Sequence, residues 1–176
     1  MKKLIAFISF LSFCFLSVQA QDNKANAAKL NKQAEAAYNR VQTNTNRDSL
    51  TVYRAVVDGI TYSLKCEEYD RMPNRKGKVK TAFGERNMLR VTTLYPMLID
   101  AGQFLLKNSY TKVEGQKALE LYLTARNNPM VIDIPDESGI AAYYLAYDYL
   151  KSRNFRMAEK YADLAMQYEE TAQASV

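Results

Sequence analysis

Histidine and tryptophan are absent from the 176 residues, and there are only two cysteines, Cys14 and Cys66. Without histidine the chain lacks the commonest general base and the commonest zinc ligand. Cys14 falls in an apolar leader expected to be removed, so Cys66 remains alone and no intramolecular disulfide is available. A lone thiol with no imidazole to activate it is expected to be a small, partly buried hydrophobe. Ser138 before Gly139 lacks a base for the same reason. No glycine-rich run precedes Lys-Ser or Lys-Thr, so a phosphate-binding loop is not indicated. No run alternates in the manner of a half-buried strand, and "MVIDIP" at 130–135, bracketed by Pro129 and Pro135, reads as an extended connection. Nothing implies a cofactor or a metal.

What is present begins with an address. Lys2 and Lys3 precede an apolar run from Leu4 to Val18, and Val18-Gln19-Ala20 offers small residues where a signal peptidase reads. A secretory signal peptide over 1–20, cut after Ala20, is expected, with periplasmic or secreted protein as its product. The run is too short and serine-rich for stable membrane insertion. Phe13 before Cys14 is too bulky for a lipoprotein signal. The chain carries 24 basic and 19 acidic side chains. Removing Lys2 and Lys3 leaves 22 against 19, a net of +3, so the pI of 9.1 overstates the basicity of the mature protein. That balance gives no reason to expect nucleic acid.

Residues 21–176 are one domain's worth, and they read as helical almost throughout. Ala27, Leu30, Ala34, Ala37, Tyr38 and Val41 recur at helical spacing, placing a first helix over about 24–42, followed by a Thr43–Asn46 linker. Asp48 or Ser49 caps a second helix with Leu50, Tyr53, Val56, Val57, Ile60 and Leu64 on one face, and Pro73 ends it. Pro96 divides the pattern from Thr81 to Asn108 into two helices or kinks a single one. Further helices are expected over about 113–126, from a cap at Asp136 to about Ser152, and over about 155–172.

In "IAAYYLAYDYLKSRNFRMAEKYADLAM" Leu145, Ala146 and Tyr149 precede a tight turn at Asn154-Phe155; Ala158 follows Ala146 by twelve residues and Ala165 comes seven later. This resembles the tetratricopeptide repeat, whose small residues let two antiparallel helices approach closely. Ala162 departs from the pattern, which carries an aromatic there, and the late proline is missing near Glu170. Gly102 and Leu105, with Ala118, Leu119, Tyr122 and Ala125, resemble a second copy, although Gly102 and Ala118 are sixteen apart and demand a longer turn around 109–115. Gly59 and Tyr62 begin a degraded third. The resemblance implies an all-α fold of stacked antiparallel helical hairpins in a short right-handed solenoid. It divides the chain into the helix 24–42, a weak repeat over 49–94 and repeats over 96–128 and 136–172. The leader ending in Ala-Gln with tyrosine-rich repeats after it is similar to secreted repeat proteins of Bacteroidota.

The same resemblance implies a non-enzymatic protein-interaction or scaffolding module with a protein or peptide partner. The family's concave face, carried over residue by residue, falls on Ile140, Tyr143, Tyr147 and Lys151 in the last repeat and on Ile99, Gln103 and Lys107 in the one before. The lysines would favour an acidic peptide or a terminal carboxylate, while core packing is the competing role for Tyr143 and Tyr147. Glycan binding at an outer membrane is the alternative, and an enzyme working with carboxylates alone is the rival from another class. Asp133, Asp136 and Glu137 crowd one connection but lack calcium-loop spacing, and are expected to cap a helix. Glu67, Glu68 and Asp70 are expected on a solvated face. The basic run Arg71, Arg75, Lys76, Lys78 and Lys80 is expected to be a solvated loop, with an anionic partner as the other use. Leu164 and Met166 on the last helix suggest an uncovered face, expected either to self-associate or to belong to a longer repeat array.

Overall fold

The computed structural model describes residues 2–43, 48–74 and 76–174, with side chains for those between 23 and 169. Among the described residues there are seven helices and no strand: α1 (Lys2–Thr43), α2 (Ser49–Asp70), α3 (Gly84–Leu94), α4 (Met97–Leu106), α5 (Lys112–Ala125), α6 (Ser138–Lys151) and α7 (Phe155–Ala174). They form an all-α stack of antiparallel hairpins, α1/α2, α4/α5 and α6/α7, with α3 set against α1 and α2. The helix α1 begins well before the expected Lys24, because no proline or glycine interrupts residues 2–43. The expected cut after Ala20 falls where no side chain is described. Asn44–Asn46 of the expected linker, and Arg75, lie outside the described residues.

Punctuation follows the chemistry of the caps. Asp48 is the N-cap of α2 and accepts from Leu50 N at 3.1 Å. Pro96 removes a donor, so α3 stops at Leu94 and α4 starts at Met97, with Tyr95 N bonded to Val91 O and Leu98 N to Tyr95 O across the corner. Asp136 does not itself occupy the cap of α6, which is Glu137. Its carboxylate accepts from Ser138 N at 3.0 Å.

Two close approaches set the hairpins. A Cβ added to Gly115 would lie 2.7 Å from Leu106 N and 2.9 Å from Gly102 O, and one at Gly102 would enter the Leu119 side chain. The expected pairing of Gly102 with Ala118 is therefore corrected. Gly102 faces Gly115 and Leu119, and Gly115 lies inside α5 rather than in a lengthened turn. At Gly59 a Cβ would come within 2.6 Å of Leu94 Cδ1 and 3.6 Å of Ala37 Cβ, where α1, α2 and α3 meet. Val56, Ile60, Leu94, Leu98, Leu119 and Leu145 are fully buried along the stack.

The carboxylates at the end of α2 overturn their expected solvation. Asp70 is fully buried and Glu67 nearly so. Asp70 accepts from Lys24 Nζ (3.0 Å), Ala82 N (2.6 Å) and Phe83 N (2.8 Å). Glu67 accepts from Arg71 Nε (2.7 Å) and Asn87 Nδ2 (3.2 Å). These bonds supply what the unfavourable end of the helix dipole withholds, and they fasten the start of α3 onto α1 and α2. Glu68 is exposed, as expected.

Candidate interaction groove between α6 and α7

Helix α6 has two unlike faces. Ala141, Ala142, Leu145 and Asp148 are buried toward the stack, while Ile140, Tyr143, Tyr147 and Leu150 are exposed, Tyr143 by 58%. Helix α7 repeats the division. Tyr161 is buried, Met157 and Leu164 pack on the core, and Phe155 and Met166 are exposed, Phe155 by 65%. The two outward faces meet in an open groove of about 1130 Å³, with Ala146, Ala158, Ala162 and Ala165 along it. Small side chains there leave the large ones standing as walls. Tyr143 and Tyr147 lie nearly parallel, 7° between planes and 6.4 Å between centroids.

The charge on the groove has one sign. Asp136, Glu137, Glu159 and Glu169 contribute to its lining and no lysine or arginine does. Asp136 is matched by Arg126, 3.3 Å away. Burial opposes its ionisation, but bonds from Ser138 and the Arg126 guanidinium outweigh that and lower its pKa. Among the described residues Glu137, Glu159 and Glu169 form no salt bridge. Lys151 adjoins the groove through its ammonium, 4.7 Å above the Tyr147 ring.

The helices that carry the walls are tied to the stack by polar contacts on their inner faces. Tyr149 and Tyr161 both donate to Glu120 Oε1, at 3.2 and 3.0 Å, joining α5, α6 and α7. Asp148 receives Lys112 at 3.0 Å and Gln116 at 2.8 Å. Glu137 is placed by its own backbone, whose N–H donates to Tyr122 OH at 3.0 Å. Tyr122 is in turn stacked on Tyr95 at 4.4 Å, and Tyr95 OH donates to Tyr122 O at 2.7 Å. Arg126 donates to Ile134 O at 3.2 Å, holding the connection from α5. Asp133 within it has φ 55°, a left-handed conformation that aspartate tolerates.

The residues predicted from the sequence divide between two places. Ile140, Tyr143 and Tyr147 line the groove, and Lys151 rests on its edge. Ile99 is only 5% exposed, because α4 is packed by α2, α5 and α6 and keeps little free face. Gln103 is half-buried and Lys107 exposed, and neither lines the groove. Leu150 escaped the sequence reading, Glu137 reads there as a capping residue and Met166 as part of an uncovered face, and Phe155, Glu159 and Glu169 of α7 do not read as site residues. Their signal was a second stripe on α7, Phe155, Glu159, Ala162, Met166 and Glu169 at three- and four-residue spacing, beside the core stripe Met157, Tyr161 and Leu164.

The other sequence candidates resolve into structure. Cys66 is buried and donates to Ala27 O at 3.2 Å, and burial pushes its thiol pKa up. Lys76, Lys78 and Lys80 are exposed, in a loop fastened by Asn74 Oδ1, which accepts from Lys76 N and Lys78 N. Among the described residues no cluster of acidic or cysteine side chains is placed to hold a metal ion, and no helix is long and apolar enough to cross a membrane. No family model matches the chain, and no curated protein or solved structure matches it either.

Proposed function

We propose that the protein is a non-enzymatic interaction module, of tetratricopeptide-like design, that holds an apolar segment of a protein partner between α6 and α7. The leader Met1–Ala20 supports a place of work outside the cytoplasm, where N-terminal sequencing of the mature protein should find Gln21 first. The observation that carries the reading is the convergence of six large exposed apolar side chains, Ile140, Tyr143, Tyr147, Leu150, Phe155 and Met166, on one groove. Scattered apolar residues on a surface need no explanation, but a contiguous patch of this kind favours a partner. Tyr143→Ala with Phe155→Ala should abolish partner capture and leave the melting temperature nearly unchanged. Capture that survives the double change would refute the groove as the site.

A second reading, glycan capture, is favoured by one feature. The exposed rings of Tyr143 and Tyr147 offer aromatic surface against which a sugar face could rest. A sugar array probed with the wild type and with Tyr143→Ala separates the two. Ring-dependent glycan signal supports this reading, and its absence supports the protein partner.

A further inference from the structure

We infer that the α6/α7 groove takes an apolar helical segment carrying a lysine or arginine cluster at one end, laid with that end between Glu137 and Glu169. The inference rests on the groove reading above and adds the chemistry and direction of the partner. Helices α6 and α7 are antiparallel, so the start of one lies beside the end of the other. A Cβ at Gly139 would lie 3.3 Å from Tyr168 Cβ, which fixes that neighbourhood. Glu137, two residues before Gly139, and Glu169, next to Tyr168, therefore share one end of the groove. Both are exposed and without a salt bridge among the described residues, whereas Asp136 beside them is answered by Arg126. At the other end Lys151 lies over Tyr147 and offers positive charge. An acidic ligand, which Lys107 and Lys151 suggest from the sequence, would meet carboxylates along the lining and find Lys107 elsewhere.

Size and floor also fit a helix. The alanines 146, 158, 162 and 165 permit the close interaxial distance, about 8–10 Å, that helix packing requires. The groove runs along α6, 14 residues and so about 21 Å long, which matches a partner helix of similar length. A second copy of this chain paired with its helices parallel would set Glu137 and Glu169 against the same pair, where like charges repel, and one paired antiparallel would meet them with a single Lys151, less positive charge than a lysine or arginine cluster brings.

The test uses the whole mature protein and two labelled synthetic peptides of about 14 residues with one leucine face, ended by lysines in one and by glutamates in the other. Fluorescence anisotropy should show tighter binding of the lysine-ended peptide, weakening as salt is raised. The Glu137→Gln and Glu169→Gln double variant should weaken that binding about three- to tenfold and flatten its salt dependence, as expected for rim charges. Equal or better binding of the glutamate-ended peptide overturns the charge inference and leaves the groove reading standing. Binding of neither peptide overturns both. Sedimentation showing a dimer that Phe155→Asp dissociates overturns the inference in favour of a second copy.

Discussion

At the α1–α3 end, the buried carboxylate of Asp70 is held by Lys24 and by two backbone N–H groups, and Arg90, also buried, donates to Asn31 Oδ1 at 2.8 Å. At the α6–α7 end, the tie is Glu120 between two tyrosine hydroxyls, and the outer face is aromatic and open. Both ends close a helical hairpin onto the same stack. The first does so with charge that must stay paired, and spends its polar groups inward. The second does so with small and aromatic side chains, and leaves apolar surface over. The difference teaches that one hairpin plan can give an end sealed over buried ion pairs, with Met88 and Leu89 of α3 still exposed, and an end whose exposed apolar side chains gather in a groove.

Breaking the sealed end should have the largest effect. Asp70→Ala removes the acceptor for Lys24, Ala82 N and Phe83 N, and should cost about 3 kcal/mol in urea unfolding, since unpaired buried polar groups are expensive. A loss below about 1 kcal/mol would show that α3 is not fastened there. Next comes overpacking of the close helix contacts. Gly115→Val must displace Leu106 or the Gly102 backbone, and Ala158→Leu must enlarge a residue only 8% exposed; each should cost about 1–3 kcal/mol. Equal stability of Ala158→Leu and an exposed control, Lys160→Ala, would argue that α6 and α7 are not in close contact at Ala158.

The Asp70 and Tyr149 ties should also respond to opposite changes of pH. Burial is the largest single influence on Asp70 and opposes ionisation, but the Phe83 and Ala82 N–H groups and the Lys24 ammonium together lower its pKa. Its contribution is therefore present above the unfolded value of about 3.9 and is lost as pH falls through the lower folded value. Tyr149 runs the other way. Burial and then the Glu120 charge push its pKa up to about 12, and the same causes raise that of Tyr161. Stability from these hydroxyls is complete below the unfolded value of about 10 and is lost as pH rises toward 12. Tyr149→Phe with Tyr161→Phe should make the alkaline limb of a melting-temperature profile shallower, with buried Tyr95 and Tyr122 supplying the rest of it, and leave the acid limb, to which Asp70 and Asp136 contribute, in place. The smallest effect belongs to the open face. Tyr143→Ala should stay within about ±0.5 kcal/mol, because its ring lies outside the core. A loss of about 3 kcal/mol would return Tyr143 to the core and remove the contrast between the ends.

Helical periodicity and proline placement were enough to read α2 through α7 in order, because an apolar face and a missing N–H act within a few residues. A cap at Asp48 or Ser49 and an interruption at Pro96 were legible for the same reason, and the structure settles them as Asp48 and a break. The three groove residues on α6 were legible as a set four and three apart, but only as an exposed or a core face, and the choice between these needed the positions of α5 and α7. Ile99 looks equivalent to Tyr143 by alignment, yet its neighbours on three sides bury it. Local sequence determined which segments are helices, where they stop and which residues share a face. Tertiary structure alone decided that Asp70 is buried and paired, that Gly102 meets Gly115, and that Glu137 and Glu169 stand at one end of a groove. Those contacts join residues 12 to 46 positions apart, and no short-range pattern encodes the charge or space that a distant helix will supply.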